Sequence, residues 1–243
     1  MRIIPLIPIH WFGDRQAYLQ SAVKIVTVGL NPSSTEFKDH KGSSESTCYR
    51  FPNYNPKKAS TLAISLNEYF KINPYIAWFN AFESILIGMN ASYYNNVQEN
   101  VAIHTDFCTP WATDPSWSKL SAIDQKTLTS SGIPAWEKLI KELAPDIILF
   151  SIPDRYIGML NLTSGTQPLT TYNNTKNGGK RKKPIVINYG DLSGTMAVFG
   201  KSWNKPFGGI DVKTKCSLGQ DIMATYKNKT NSSRINILSK IIV

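Results

Sequence analysis

The sequence predicts an α/β fold of three layers, αβα, built on a central, mostly parallel sheet. Three observations carry that expectation. Apolar, β-branched runs recur along the chain, and helical patterns fall between several of them. A length of 243 residues with 42% hydrophobic and 11% aromatic content is enough to bury one large core. The expected organisation is one domain over 1–243 with a basic loop around 163–184.

The strands are read from "KIVTVG" (24–29), "NVAIHTDF" (100–107), "DIILFS" (146–151), "PIVIN" (184–188) and "TMAVFG" (195–200). Between them, "ASTLAISLNEYFKI" (59–72) is amphipathic. The segment "NPYIAWFNAFESILIGM" (73–89) offers Asn73 as N-cap and Pro74 at the first helical position, closing near Gly88. The stretch "IPAWEKLIKELAPD" (133–146) carries an apolar stripe, stops before Pro145 and delivers the chain into the strand at 146. These helices are the cover that a parallel sheet requires. Two long polar segments, 33–58 and 163–183, break the pattern, and in a compact domain such segments are functional or disordered.

Cysteine and histidine usage excludes several classes. Cys48, Cys108 and Cys216 are odd in number, widely separated and in no C-x-x-C pair, which argues against a disulfide framework and a zinc or iron–sulfur site. His10, His40 and His104 show no ligand spacing, so neither a metal nor another cofactor is expected. Pro5 and Pro8 interrupt the first residues, and no run approaches the roughly 18 apolar residues of a membrane span. The expectation is a soluble, cytoplasmic protein with no membrane contact.

Charge is more telling. Residues 1–175 carry 14 Lys/Arg and 14 Asp/Glu, whereas residues 176–243 carry 13 and 3, so the formal charge of +10 sits in the last 68 residues. Clustered cations gain affinity by displacing counterions from phosphates, and nucleic acid is the partner this asymmetry favours over a merely solvated face.

At "VGLNPSS" (28–34) the sequence resembles the first motif of the uracil-DNA glycosylase superfamily, where a strand ends in Gly-x-(Asp or Asn)-Pro. Asn in this motif resembles the mismatch-type uracil/thymine branch. The resemblance continues in order. "RFPN" (50–53) looks like the aromatic segment that stacks on the extruded base, and "HTDFCTPW" (104–111) like the strand end that reads the base edge. "LAPDIILFS" (143–151) matches the helix-to-strand passage, and "FGKSWNKPFGG" (199–209) falls where the second motif and the DNA-inserting loop belong. The second motif's usual His-Pro-Ser has no clear counterpart; the chain offers Lys201, Ser202 or Asn204 in its place.

The resemblance implies a uracil-DNA-glycosylase-like fold, double-stranded DNA as partner, and a bacterial, monomeric DNA glycosylase acting on a flipped base. It implies that Asn31 holds the attacking water, that backbone N–H groups after Gly29 stabilise the leaving base, and that Phe51 or Tyr49 stacks on it. Trp203 becomes the candidate wedge. Lys176, Lys180, Arg181, Lys182 and Lys183, with Lys201 and Lys205, become candidate phosphate contacts, and Ser202 and Asn204 share the inserting loop.

Two departures from the family bear on substrate. Ser33 stands where the most uracil-restricted members carry a Tyr that blocks substituents at C5 of the base. Asp106 stands where uracil readers carry Asn. An Asn both donates and accepts, whereas a carboxylate only accepts, which suits the N4 amino group of cytosine and repels O4 of uracil. Together they imply a 5-substituted cytosine, such as the hydroxymethyl or glucosyl-hydroxymethyl bases of bacteriophage DNA, and an anti-phage role. His104 lies two residues from Asp106 and shares its side of the strand, with a structural role expected. The competing readings are a uracil/thymine mismatch repair glycosylase and a non-catalytic DNA-binding module. The zinc signature of a cytidine deaminase is absent.

Overall fold

A computed structural model of the chain describes residues 2–3, 7–34, 50–55, 57–94, 97–172, 184–201 and 205–241. In chain order the elements are β1 (Arg2–Ile3), α1 (Arg15–Gln20), β2 (Ile25–Gly29), α2 (Ser60–Asn67), α3 (Tyr69–Ile72), α4 (Ile76–Gly88), β3 (Ala91–Ser92), β4 (Asn100–Val101), β5 (Ile103–Asp106), β6 (Thr113–Asp114), α5 (Ala122–Leu143), β7 (Ile147–Ser151), α6 (Asp154–Ile157), β8 (Gln167–Tyr172), β9 (Ile185–Leu192), β10 (Thr195–Gly200) and α7 (Val212–Ile241).

Six strands form the central sheet in the order β5-β2-β7-β10-β9-β8. Its first four strands run parallel, while β9 and β8 are added antiparallel at the far edge. The β9–β10 hairpin turns on Ser193 and Gly194, both at positive φ (52° and 93°), as a two-residue hairpin matched to strand twist demands. Asp191 Oδ1 accepts the Gly194 N–H at 2.8 Å and holds the turn.

The period of two along the strands divides the core into two layers. Ile25, Ile147, Leu149, Met196 and Val198 face a cluster that includes Leu66, Tyr69, Phe79, Phe82 and Leu218, contributed by α2, α3, α4 and α7. Val26, Val28, Ile148, Phe150, Ala197 and Phe199 face Tyr18, Leu128, Trp136, Leu143 and Tyr156 from α1, α5 and α6. Strands covered on both faces are apolar at nearly every position, which is why β2 and β7 are buried throughout and read as continuous runs in the sequence.

Several elements differ from the sequence expectation. The helix expected over 73–89 begins at Ile76 with no side-chain cap; the Tyr75 N–H instead donates to the Tyr69 hydroxyl at 2.8 Å. The helix expected at 133 starts at Ala122, capped by Ser121, and runs through Pro134. The face formed by Leu128, Trp136 and Ile140 packs continuously on the sheet and carries the helix across the missing N–H. The run 100–107 divides at Ala102, because β4 pairs with β3 rather than with β2. Part of the polar stretch 163–183 is β8, and α7 is not predicted because its sequence shows no clear apolar stripe.

Packing of α4 on α7 brings backbone against backbone. A Cβ on Gly88 would lie 2.0 Å from the Cys216 carbonyl oxygen, and one on Gly219 would lie 2.1 Å from the Ile85 carbonyl oxygen. Lys215 adds a polar tie, its buried Nζ donating to the Ala81 and Pro206 carbonyls at 3.1 and 2.8 Å. Gly219→Ala must therefore part the two helices at a cost of about 1–3 kcal/mol. At roughly 2–4 °C per kcal/mol for a chain of this size, thermal denaturation should show a drop of several degrees. Gly165→Ala, with nothing within 4 Å of the added Cβ, serves as the neutral control.

Candidate functional site

Strand order fixes where a site forms. From β2 the chain crosses to β5 on one side and later to β7 on the other, so the connections leaving the carboxyl ends of these strands diverge and open a crevice. A cavity of about 530 Å³ occupies this position, within the range of small-ligand pockets. Its polar lining includes Asn31 and Ser33 after β2, His104 and Asp106 from β5, and Ser151 at the end of β7. Phe12, Tyr75, Trp78, Phe79 and Trp117 supply aromatic walls, and the exposed Arg155 stands among the lining residues.

Register does the local work. In the parallel β2–β5 pair, Thr27 is opposite His104 and Gly29 is opposite Asp106, so these four positions share the α4 face of the sheet. A Cβ on Gly29 would meet Asp106 Oδ1 at 2.7 Å and His104 Nε2 at 3.2 Å. Glycine is required here by a close approach, since the two side chains occupy the space its own side chain would fill. Asp106 is 7% exposed, and its buried Oδ2 has no hydrogen-bond partner among the described residues. An acceptor buried in this way is costly to leave unpaired.

Asn31 is held from one end only. Its Nδ2 donates to the Pro32 carbonyl at 3.0 Å and to Thr113 Oγ1 at 3.3 Å, with the Trp111 carbonyl at 3.5 Å. Among the described residues no group donates to its Oδ1, which leaves an oriented carbonyl oxygen able to accept from water or substrate.

Beneath Asp106 runs a buried polar chain. His104 Nδ1 is 2.7 Å from Thr27 Oγ1, which lies 2.5 Å from the Tyr93 hydroxyl, and His104 Nε2 is 3.6 Å from Asp106 Oδ1. Burial pushes the Tyr93 hydroxyl well above its ordinary pKa, so it stays protonated.

Other expected residues fall elsewhere. Phe51 is fully buried, packs on Tyr69 at 5.4 Å and Phe12 at 6.3 Å, and does not line the cavity. Lys201 follows Gly200, whose register partner is Ser151, so it emerges at the same carboxyl edge; it is exposed and lines a second cavity of about 340 Å³. Lys205 is exposed and lines neither cavity. Tyr49, Lys176, Lys180, Arg181, Lys182, Lys183, Ser202, Trp203 and Asn204 lie outside the described residues.

Sequence reasoning missed Tyr75, Trp78 and Phe79, whose i, i+3, i+4 spacing at the start of α4 reads equally well as core. Two groups with shifted titration are not site residues. Burial, then Lys205, pushes Lys215 down to about 8, but its Nζ is committed to two carbonyls and it does not line the cavity. Burial, reinforced by Asp106, raises the Cys108 thiol and keeps it an inert packing group. Among the described residues no three His, Cys, Asp or Glu side chains gather to hold a metal ion, and no helix is long and apolar enough to cross a membrane.

Thr27→Val keeps the side-chain shape but strands the Tyr93 hydroxyl and His104 Nδ1. The expected loss is about 1–3 kcal/mol for each stranded group, read from the chemical-denaturation midpoint. Unchanged stability would show that the polar chain is not closed through Thr27.

No protein-family model, curated protein or solved structure matches this chain.

Proposed function

We propose that the protein is a monofunctional DNA glycosylase that hydrolyses the N-glycosidic bond of a flipped, 5-substituted cytosine and leaves an abasic site. The observation that carries the reading is the pairing of Asn31, with an oriented amide oxygen, and the Asp106 carboxylate, which follow from neighbouring parallel strands, in one cavity at the carboxyl edge of the sheet.

In this reading the extruded base enters between the aromatic walls, where stacking on Tyr75 or Trp78 offsets the cost of unstacking it from the duplex. Asp106 accepts from the exocyclic N4 amino group. Asn31 Oδ1 accepts from the attacking water and aims it at C1′ of the sugar, while its Nδ2 contacts keep the amide from rotating. With no carboxylate on the water, the chemistry relies on positioning and on stabilising the departing base, for which the backbone N–H groups after Gly29 are the donors. Arg155 is suited to a flanking phosphate.

Ser33 lines the cavity where a Tyr would close it, and about 530 Å³ exceeds the need of a bare pyrimidine. An enzyme that removed plain cytosine would attack its own genome, so the modified cytosines of bacteriophage DNA are the coherent substrates. The role is then antiviral defence in the bacterial cytoplasm, with the basic carboxyl-terminal third holding the DNA.

The test offers duplexes carrying uracil, G·T, cytosine, 5-hydroxymethylcytosine or its glucosylated form, scored for alkali-labile sites and freed base. Release is expected from the modified cytosines. Asn31→Ala should lower it by on the order of 10²-fold or more with DNA binding retained, and Asp106→Asn should shift preference toward uracil. Release from uracil or G·T alone would favour mismatch repair, and activity unchanged by Asn31→Ala would sink the catalytic assignment.

A further inference from the structure

The sequence predicts a structural role for His104, yet it lines the cavity while being only 2% exposed. Its ring is fixed by Phe79, edge-on at 5.1 Å, and by Phe12 and Phe82, each at 5.7 Å. The remaining question is which ring nitrogen carries hydrogen.

The polar chain answers it. Among the described residues, the buried Tyr93 hydroxyl has only Thr27 Oγ1 to donate to. Thr27, having accepted from Tyr93, donates either to His104 Nδ1 at 2.7 Å or to the Ile103 carbonyl at 3.5 Å, the outer limit of a hydrogen bond. The shorter contact makes Nδ1 an acceptor and puts the hydrogen on Nε2. The neighbouring carboxylate favours the same outcome, because a lone pair on Nε2 would face Asp106 Oδ1 at 3.6 Å. A protonated imidazole would also carry hydrogen on Nε2, so either charge state presents a donor there.

At 3.6 Å, Nε2 and Oδ1 lie within electrostatic reach but just beyond hydrogen-bond distance, so neither is saturated by the other. They therefore present a donor and an acceptor side by side, in the space that the absent Gly29 side chain leaves to them. Cytosine's pairing edge is the complement: N3 accepts and the adjacent N4 amino group donates. Uracil and thymine reverse both groups, with N3–H meeting a donor and O4 meeting a carboxylate.

We propose that His104 is a specificity-determining residue, donating Nε2–H to N3 of the base while Asp106 accepts from N4, so that cytosine is read in its neutral form at two points. Thr27 and Tyr93 act through it as positioning residues. The assignment rests on the glycosylase reading for its substrate, but it concerns base recognition and is testable without bond cleavage.

The experiment titrates 5-hydroxymethyl-2′-deoxycytidine and 2′-deoxyuridine into the wild-type protein, His104→Phe and His104→Gln, following binding and the histidine ring nitrogens by NMR. The Phe variant keeps the aromatic packing without a donor, and Gln restores an N–H. Wild type should prefer the cytidine on the order of tenfold or more, with a shift at Nε2, since a site built for polar contacts rejects ligands that lack them. His104→Phe should lose the preference while remaining folded, and His104→Gln should recover part of it. Undiminished preference in His104→Phe, or no preference in wild type, overturns the proposal. A protein that binds the cytidine selectively yet releases no base from any duplex would instead overturn the glycosylase reading and leave this assignment standing.

Discussion

The site depends on a missing methyl group. Asp106 Oδ1 sits 2.7 Å from where a Gly29 Cβ would be, so the carboxylate and His104 share the cavity floor only because β2 ends in glycine. The constraint reaches back through the sheet. A shift of β5 by one residue against β2 would place Asp106 and His104 on the opposite face, among the apolar side chains beneath α5. Parallel pairing of β2 with both β5 and β7, locked by apolar cover on both faces, is what holds the register.

Rigid supports surround that register. The Asp146 carboxylate accepts from the Lys24 N–H at 2.8 Å and from the Tyr226 hydroxyl at 2.9 Å, tying the start of β2 to the approach to β7 and to α7. The same α7 is pressed backbone to backbone on α4, the helix whose first turn walls the cavity with Trp78 and Phe79. Polar groups carried on strands and backed by packed helices lose little orientational freedom on binding, which is the preorganisation that the proposed chemistry requires.

How much of this is legible in the sequence varies with the physical origin of each feature. The parallel strands are readable because burial on both faces forces largely apolar runs at 25–29 and 147–151. Their neighbourhood is not, since the sequence holds no record that Thr27 lies beside His104. For that reason His104 reads as structural, although its spacing from Asp106 already places both on one side. Asn31, Ser33 and Asp106 are nominated by a family resemblance and do converge on the cavity. Phe51, nominated by the same resemblance, lies in the core, because an aromatic residue reads alike whether it meets a ligand or Tyr69. Helix boundaries fail where local signals compete with packing: the helix expected over 133–146 begins at Ala122, because the buried face of α5 runs on through Pro134.

The most direct measurement is a crystal structure with a duplex carrying 5-hydroxymethylcytosine on a non-hydrolysable 2′-fluoroarabino sugar. The base should be extruded into the cavity, with N4 within hydrogen-bond reach of Asp106, the C5 substituent toward Ser33, and a water on Asn31 Oδ1 facing C1′. A base left stacked in the duplex, or bound at another face with the cavity unfilled, would contradict it.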